Sequence, residues 1–422
     1  MMRRILYTAA TCGAALLASA ALAGCGGGSS ATSSGSSTTG GGSIGMGTVA
    51  DSSCNMASGA PVALAIGARS NNPAPSLTTA ATSLLASAVK AHKQVSVVRL
   101  DGAPSVVFDQ AFTPTGANTQ SQQGDYTTYV NNLNAILAGT NNPDTDIRAQ
   151  VPQANVLEAL AVAADDLQSA GGGNLIMLDS GLQTTAPLDF TTGLLSDDPQ
   201  TIASYLKHAN ELPDLKGLRV QFSGLGWTAP PQQDLSIADR YKVTQIWQAI
   251  AYEAGASCVE IDTTAPAHQS ALPGLPQVSV VKPPRPAEVP RSCSVTNLND
   301  ANNVGFEFNS TTFRDPSGAR VTLRKLANVM LSTGESVTLT GATSSEGTDQ
   351  YNQQLSLERA DAVQNLLVQL GVPASRISTF GDGSHLPGRL NDRGPNGQLL
   401  IGPAIQNRKV VAKLSGAGCP AT

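Results

Sequence analysis

Asn352 and Arg359 stand seven residues apart in Tyr351-Asn352-Gln-Gln-Leu355-Ser356-Leu-Glu-Arg359-Ala360, a stretch of helical periodicity. Seven residues make about two turns, so both side chains leave one face and can converge on a single small ligand. A guanidinium can grip a carboxylate through two parallel N–H groups, and a carboxamide supplies both a donor and an acceptor. This is the chemistry of binding. A catalytic reading needs a nucleophile or an acid–base pair with support, and no GxSxG, HExxH, Walker-type loop or strand-following GxGxxG occurs. His208 near Glu211 reads as a solvated pair on a helix. The chain is therefore expected not to be an enzyme, and to hold neither cofactor nor metal.

Six cysteines are present. Cys12 and Cys25 fall in the N-terminal region, leaving Cys54, Cys258, Cys293 and Cys419. Export makes disulfides the default for an even set. Four cysteines allow three pairings, and the domain organisation favours Cys54 with Cys258 and Cys293 with Cys419, each pair bracketing one domain. The four histidines are scattered and no CxxC occurs, which argues against zinc.

These residues need scaffolds. At 422 residues the chain is too long for one ordinary core, so two domains are expected. The net charge of −5 offers no basic field for a polyphosphate, which excludes nucleic acid as a partner. Arg3 and Arg4 precede an apolar run from Ile5 to Ala23, the pattern of an export leader over 1–24. A Gly/Ser/Thr-rich tether follows over 25–50, since such a tract cannot bury enough apolar surface to fold. Residues 51–262 alternate apolar runs with helical periodicity: strands at Val62–Ile66, Val95–Leu100, Ser105–Phe108, Asn174–Asp179, Leu218–Ser223 and Cys258–Ile261, and helices near 77–92, 126–137, 155–169, 199–212 and 237–254. Continuous runs such as Leu175-Ile-Met-Leu178 suit strands covered on both faces, so a doubly wound α/β domain with a mostly parallel sheet is expected. Seven prolines mark 263–292 as an extended linker. From 293 to 422 an α+β domain is expected, with strands at 305–308, 336–340, 376–380 and 409–413, a helix near 321–331 and a long helix over 351–370.

Leu22-Ala-Gly-Cys25 resembles a bacterial lipobox, which implies a lipidated Cys25, a membrane anchor, and an exported location in the envelope, at the outer membrane or the outer face of the cell membrane. Residues 305–414 resemble an OmpA-like domain. The resemblance rests on Gly305-Phe-Glu-Phe-Asn309, Gly341-Ala-Thr-Ser-Ser-Glu-Gly347, the Tyr351–Ala360 helix start, Gly371-Val-Pro-Ala-Ser-Arg376-Ile377, Gly381-Asp-Gly383 with Pro387, and Asn407-Arg408-Lys409-Val410. It implies association with peptidoglycan, a diaminopimelate stem peptide meeting Arg359 with its carboxylate and a loop Asp with its ammonium. Asn309, Asn352 and Arg408 match further positions of that site. The loop departs from the family pattern GHTDxxG: Ala342 stands at the His position and Ser344 at the Asp position. A charge-assisted hydrogen bond contributes roughly 1.5–3 kcal/mol, so its loss costs about ten- to a hundredfold in affinity. Three readings stay open: Glu346 or Asp349 supplies the charge, the stem is an altered one, or the site has lost binding.

The first domain has a weaker resemblance to a von Willebrand factor A-type domain, carried by Asn155–Leu167 ahead of Asn174-Leu-Ile-Met-Leu-Asp179. The family's magnesium site needs hard oxygen ligands after the first strand. Here that strand runs into Gly67-Ala-Arg69-Ser-Asn71, so no metal is expected. The carboxyl ends of the strands, with 68–74 and 180–186, are the expected place for an envelope protein partner. The alternative is an envelope assembly factor or enzyme acting through the first domain, with degenerate peptidoglycan binding.

Overall fold

The computed structural model describes residues 54–139, 142, 145–284 and 287–420. The expected leader, lipidated Cys25 and tether lie outside these residues.

The first domain is built on β1 (Val62–Ile66), β2 (Gln94–Arg99), β3 (Ser105–Ala111), β4 (Asn174–Leu178), β5 (Arg219–Ser223) and β6 (Cys258–Asp262). They form one six-stranded sheet in the order β3-β2-β1-β4-β5-β6. All pairs are parallel except β2 with the edge strand β3. Every residue of β1 and β4 is buried because both faces are covered. Leu64, Ile66 and Ile176 pack against α1 (Thr79–Lys90) and α2 (Thr119–Leu137). Ala63, Ala65, Leu175 and Met177 face the opposite way, toward α3 (Val156–Ser169), α4 (Pro199–His208) and α5 (Ile237–Glu253). Successive strand residues point to opposite faces, so each apolar run feeds two cores. Cys54 is bonded to Cys258, closing the domain's two ends.

The second domain has β7 (Val295–Leu298), α6 (Pro316–Thr333), β8 (Ser336–Ala342), α7 (Asp349–Gln369), β9 (Ile377–Gly381), α8 (Ile401–Asn407) and β10 (Lys409–Ser415). Its mixed sheet runs β7-β10-β8-β9, with β8 and β9 parallel and the other pairs antiparallel. One core, drawn entirely from residues between Leu298 and Leu414, lies between this sheet and the helices α6 and α7. The Cys293–Cys419 disulfide joins its ends. The domain thus has its own core, sheet and covalent closure.

Two expectations need correction. Residues 305–308 form no strand: Phe306 and Phe313 make an isolated antiparallel bridge, Glu307 N donates to Thr312 O, and Asn309 turns the chain at φ 47°. The alternation of Phe306 and Phe308 serves a tight turn, and the first strand is β7 instead. The Pro-rich linker also does not stand clear of the first domain. Val281 N donates to Gln232 Oε1 at 2.7 Å, Gln232 Nε2 returns a bond to Val281 O at 2.8 Å, and Ala74 N donates to Ser270 O.

The two domains are docked. Ile401, Ala404 and Ile405 of α8 belong to the first domain's core, and α8 packs on α4. Among the described residues no helix is long and apolar enough to cross a membrane.

Candidate functional site

The N-terminal half of α7 carries the site. Thr348 caps the helix by accepting from Tyr351 N, and Gly371 ends it at φ 97°. Helical spacing brings Asn352, Ser356 and Arg359 to the buried face, followed by Val363 and Leu367 in the core. That face therefore changes from polar to apolar along its length. Ser356 Oγ accepts from Gly383 N at 2.9 Å and donates to Gln353 O, tying β9's exit loop to the helix.

Arg359 is 1% exposed. Its Nε donates to Ser310 O at 3.0 Å and its Nη2 reaches Glu307 O at 3.5 Å, while the guanidinium lies 5.3 Å from the Phe306 ring centroid. The 305–314 turn is what holds it. Among the described residues no carboxylate forms an ion pair with it. Burial, then the nearby Arg408 charge, lowers its pKa to about 10. It remains a cation at neutral pH.

Ser344 is buried in the loop after β8. Its Oγ donates to Glu346 Oε2 at 3.2 Å, so Glu346 is the acidic group beside the vacant Asp position. Asp349 is not: it faces His385 at 3.3 Å on an exposed surface. The loop is pinned by Thr343 N to Gly383 O and by Ser345 N to Asp392 Oδ2 at 2.9 Å. Asp392 also accepts from Arg389 and Asn407, and these bonds together hold its carboxyl below the usual range although burial opposes them. Arg408, just after α8, stands with its guanidinium 4.8 Å from the Tyr205 ring centroid, and its Nε is buried without a partner.

Of the expected residues, Ser344 and Arg408 are brought together at Tyr205, and Asn352 and Arg359 are buried on one face of α7. Asn309 is exposed at the tip of the turn, so its backbone shapes the site and its side chain stays outside.

Sequence reasoning missed the first domain's share. Tyr205 on α4 is buried, its hydroxyl 3.3 Å from Ser344 Oγ and its ring edge-on to Phe308 at 5.3 Å. His208, read as pairing with Glu211, stacks on Phe308 at 4.3 Å instead, because α4 ends at His208 and faces the second domain. Asp198, which caps α4, pairs with Arg314 at 3.3 Å. Its neighbour Asp197 is buried. Desolvation, reinforced by Asp300, raises its pKa well above the usual range against the pull of Arg408 and Lys242. The one available signal was Leu399-Leu-Ile401, an apolar run with no place in the second domain's own periodicity.

At the carboxyl ends of β1, β4 and β5 a second feature appears. Asn72–Ser76, Asp179, Ser180, Gly224, Trp227 and 264–266 line a small open cleft of about 50 Å³. Beneath it Arg69 and Asp179 form an ion pair with both side chains at 0% exposure. Of the expected 68–74 edge only Asn72, Pro73 and Ala74 line the cleft, and of 180–186 only Ser180; Gly181 instead accepts from Trp247 Nε1.

Residues 305–396 match the OmpA family. The chain is 39% identical over 119 residues to the probable lipoprotein YiaD of Escherichia coli, covering 28% of this chain and 50% of that one. It is 32% identical over 122 residues to a peptidoglycan-associated lipoprotein of Agrobacterium fabrum, 29% of this chain and 64% of that one. A peptidoglycan-associated lipoprotein of Rhizobium meliloti is 31% identical over 133 residues, 31% of this chain and 70% of that one. The chain thus spans about half to two thirds of the length of the first two.

Proposed function

The chain belongs to the OmpA family through its C-terminal domain, and on that premise we propose that it is a non-enzymatic envelope protein, lipid-anchored at Cys25, that associates with the stem peptides of peptidoglycan. One observation carries this reading. Arg359 is a buried cation that, among the described residues, donates to two main-chain carbonyls and pairs with no carboxylate, so N–H groups are left over for one. A buried charge is costly unless paired, so a site of this kind has affinity for an anion of matching geometry. Two relatives are named as peptidoglycan-associated lipoproteins, which supports the choice of ligand. The resemblance of Leu22–Cys25 to a lipobox supports the anchor, and the cleft above Asp179 is where the first domain would receive an envelope partner.

Sedimentation of residues 293–422 with purified sacculi tests this. The domain is expected in the pellet, and Arg359→Ala in the supernatant. A wild-type domain that stays soluble refutes the reading, and equal pelleting of both places the grip elsewhere than on Arg359.

A further inference from the structure

Tyr205 enters the site from the other domain. Its hydroxyl faces Ser344 Oγ at 3.3 Å, and because Ser344 donates its own proton to Glu346, the phenol is the donor. Its ring face lies under the Arg408 guanidinium at 4.8 Å, and its edge meets Phe308. Thus Ser344 and Arg408, two of the positions expected to meet a stem peptide, already meet one side chain of this same chain. We infer that Tyr205 is the resident occupant of the OmpA-like site, so that domain docking and capture of a stem peptide exclude one another.

The inference rests on the peptidoglycan reading and adds what controls access to that site. It also accounts for Ser344. A carboxylate at 344 would be buried beside Glu346 and under docked α4, whereas a hydroxyl accepts the phenol without bringing charge. The change that weakens the hold on an ammonium is the one that admits Tyr205. The contact is backed around its rim by the Asp198–Arg314 pair, the His208–Phe308 stack and Gln406 Nε2 donating to Thr192 O. Gly402 approaches Thr192 so closely that a Cβ there would stand 2.0 Å from Thr192 Oγ1, so α8 has no room for a larger residue while docked.

The test compares the full chain from residue 26 with its variants in the sacculus assay, the isolated 293–422 domain serving as reference. If only about a tenth of the chain is open, apparent affinity falls about tenfold below that of the isolated domain. Tyr205→Ala and, separately, Asp198→Arg opposite Arg314 should recover most of the difference, and Arg359→Ala should abolish the gain. Hydrogen exchange of α4 amides, faster in both variants without loss of protection in β1 and β4, distinguishes undocking from unfolding. Ser344→Asp should also loosen α4 and strengthen capture. A full chain that binds as tightly as the isolated domain overturns the inference and leaves the proposed function standing, as does an α4 that is opened with no gain in binding. An isolated domain that fails to bind overturns both.

Discussion

Arg69→Met removes one half of a fully buried ion pair while keeping most of the side chain's length. Asp179 Oδ2 accepts from Arg69 Nη2 at 2.5 Å, Arg69 Nε at 3.2 Å and Asn72 Nδ2 at 2.9 Å, and Oδ1 accepts from Gly181 N at 2.7 Å. Arg69 Nη1 has no partner, so the pair is not ideally satisfied. Its removal on one side still leaves a buried carboxylate without its counter-charge, which costs roughly 3–5 kcal/mol. With a urea slope of about 2 kcal/mol/M, the first domain's midpoint should fall by about 1.5–2.5 M. Tryptophan fluorescence follows this, since Trp247 Nε1 donates to Gly181 O beside the pair at 2.8 Å. Arg69→Met with Asp179→Leu removes both charges and orphans only the Asn72 and Gly181 donors, so the double variant should be more stable than the single one. A single-variant loss below about 1 kcal/mol, or a double variant less stable than the single, would refute the argument that uncompensated charge dominates.

Acidification should tighten docking: Asp197 and Asp300 have raised pKa values, chiefly from desolvation, so their contribution is fully present below about 4 and fades as pH rises through their folded-state values. Slower α4 exchange at pH 5 than at pH 8, after correction for intrinsic rates, checks this, and Asp197→Asn, which removes a carboxyl subject to the charges of Asp300, Arg408, Lys242 and Asp198, should flatten the dependence. Gly341→Ala would put a Cβ 1.8 Å from Ser356 O, forcing α7 off β8, so a loss of about 1–3 kcal/mol is expected in thermal unfolding of the second domain. Reducing Cys293–Cys419, which closes a separation of 126 residues, should lower that domain's stability by about 2–4 kcal/mol, read as a drop in its denaturation midpoint.

What could be read from the sequence depended on whether an element's partners lie in its own domain. β1, β4 and α7 announce themselves because an apolar run or a helical stripe answers to a core built by neighbours. The one-face placement of Asn352, Ser356 and Arg359 follows from helical arithmetic alone. α8 does not announce itself: Ile401-Gly402-Pro403 reads as a break, and its apolar residues are buried by α4 and the turns near Phe190 and Leu194, some two hundred positions earlier. β7 is a short edge strand with an exposed Val295, too weakly patterned to separate from loop. Phe306 and Phe308 have strand alternation, yet the turn at Asn309 decides their fate. Tyr205 was invisible for the same reason as α8, since nothing around Ser344 records a contact 139 residues away.

The seam between the domains carries its own argument for being openable. Tyr205, Ile401, Ala404 and Ile405 lose water there, which favours docking by roughly 25 cal/mol for each Å² of apolar surface covered. Against this stand two buried groups that find no partner, Arg408 Nε and Asp197 Oδ2. Each such orphan costs about 1–3 kcal/mol, and each regains water on undocking. Arg359 adds to the balance because its hydrogen bonds among the described residues go to two neutral carbonyls, and a ligand carboxylate would supply the opposite charge. Apolar contact therefore holds the domains together while polar groups favour separation. An incoming carboxylate acts on the polar side of that balance alone, and that is how a chain with no basic field, at a net charge of −5, can still answer to an anionic ligand.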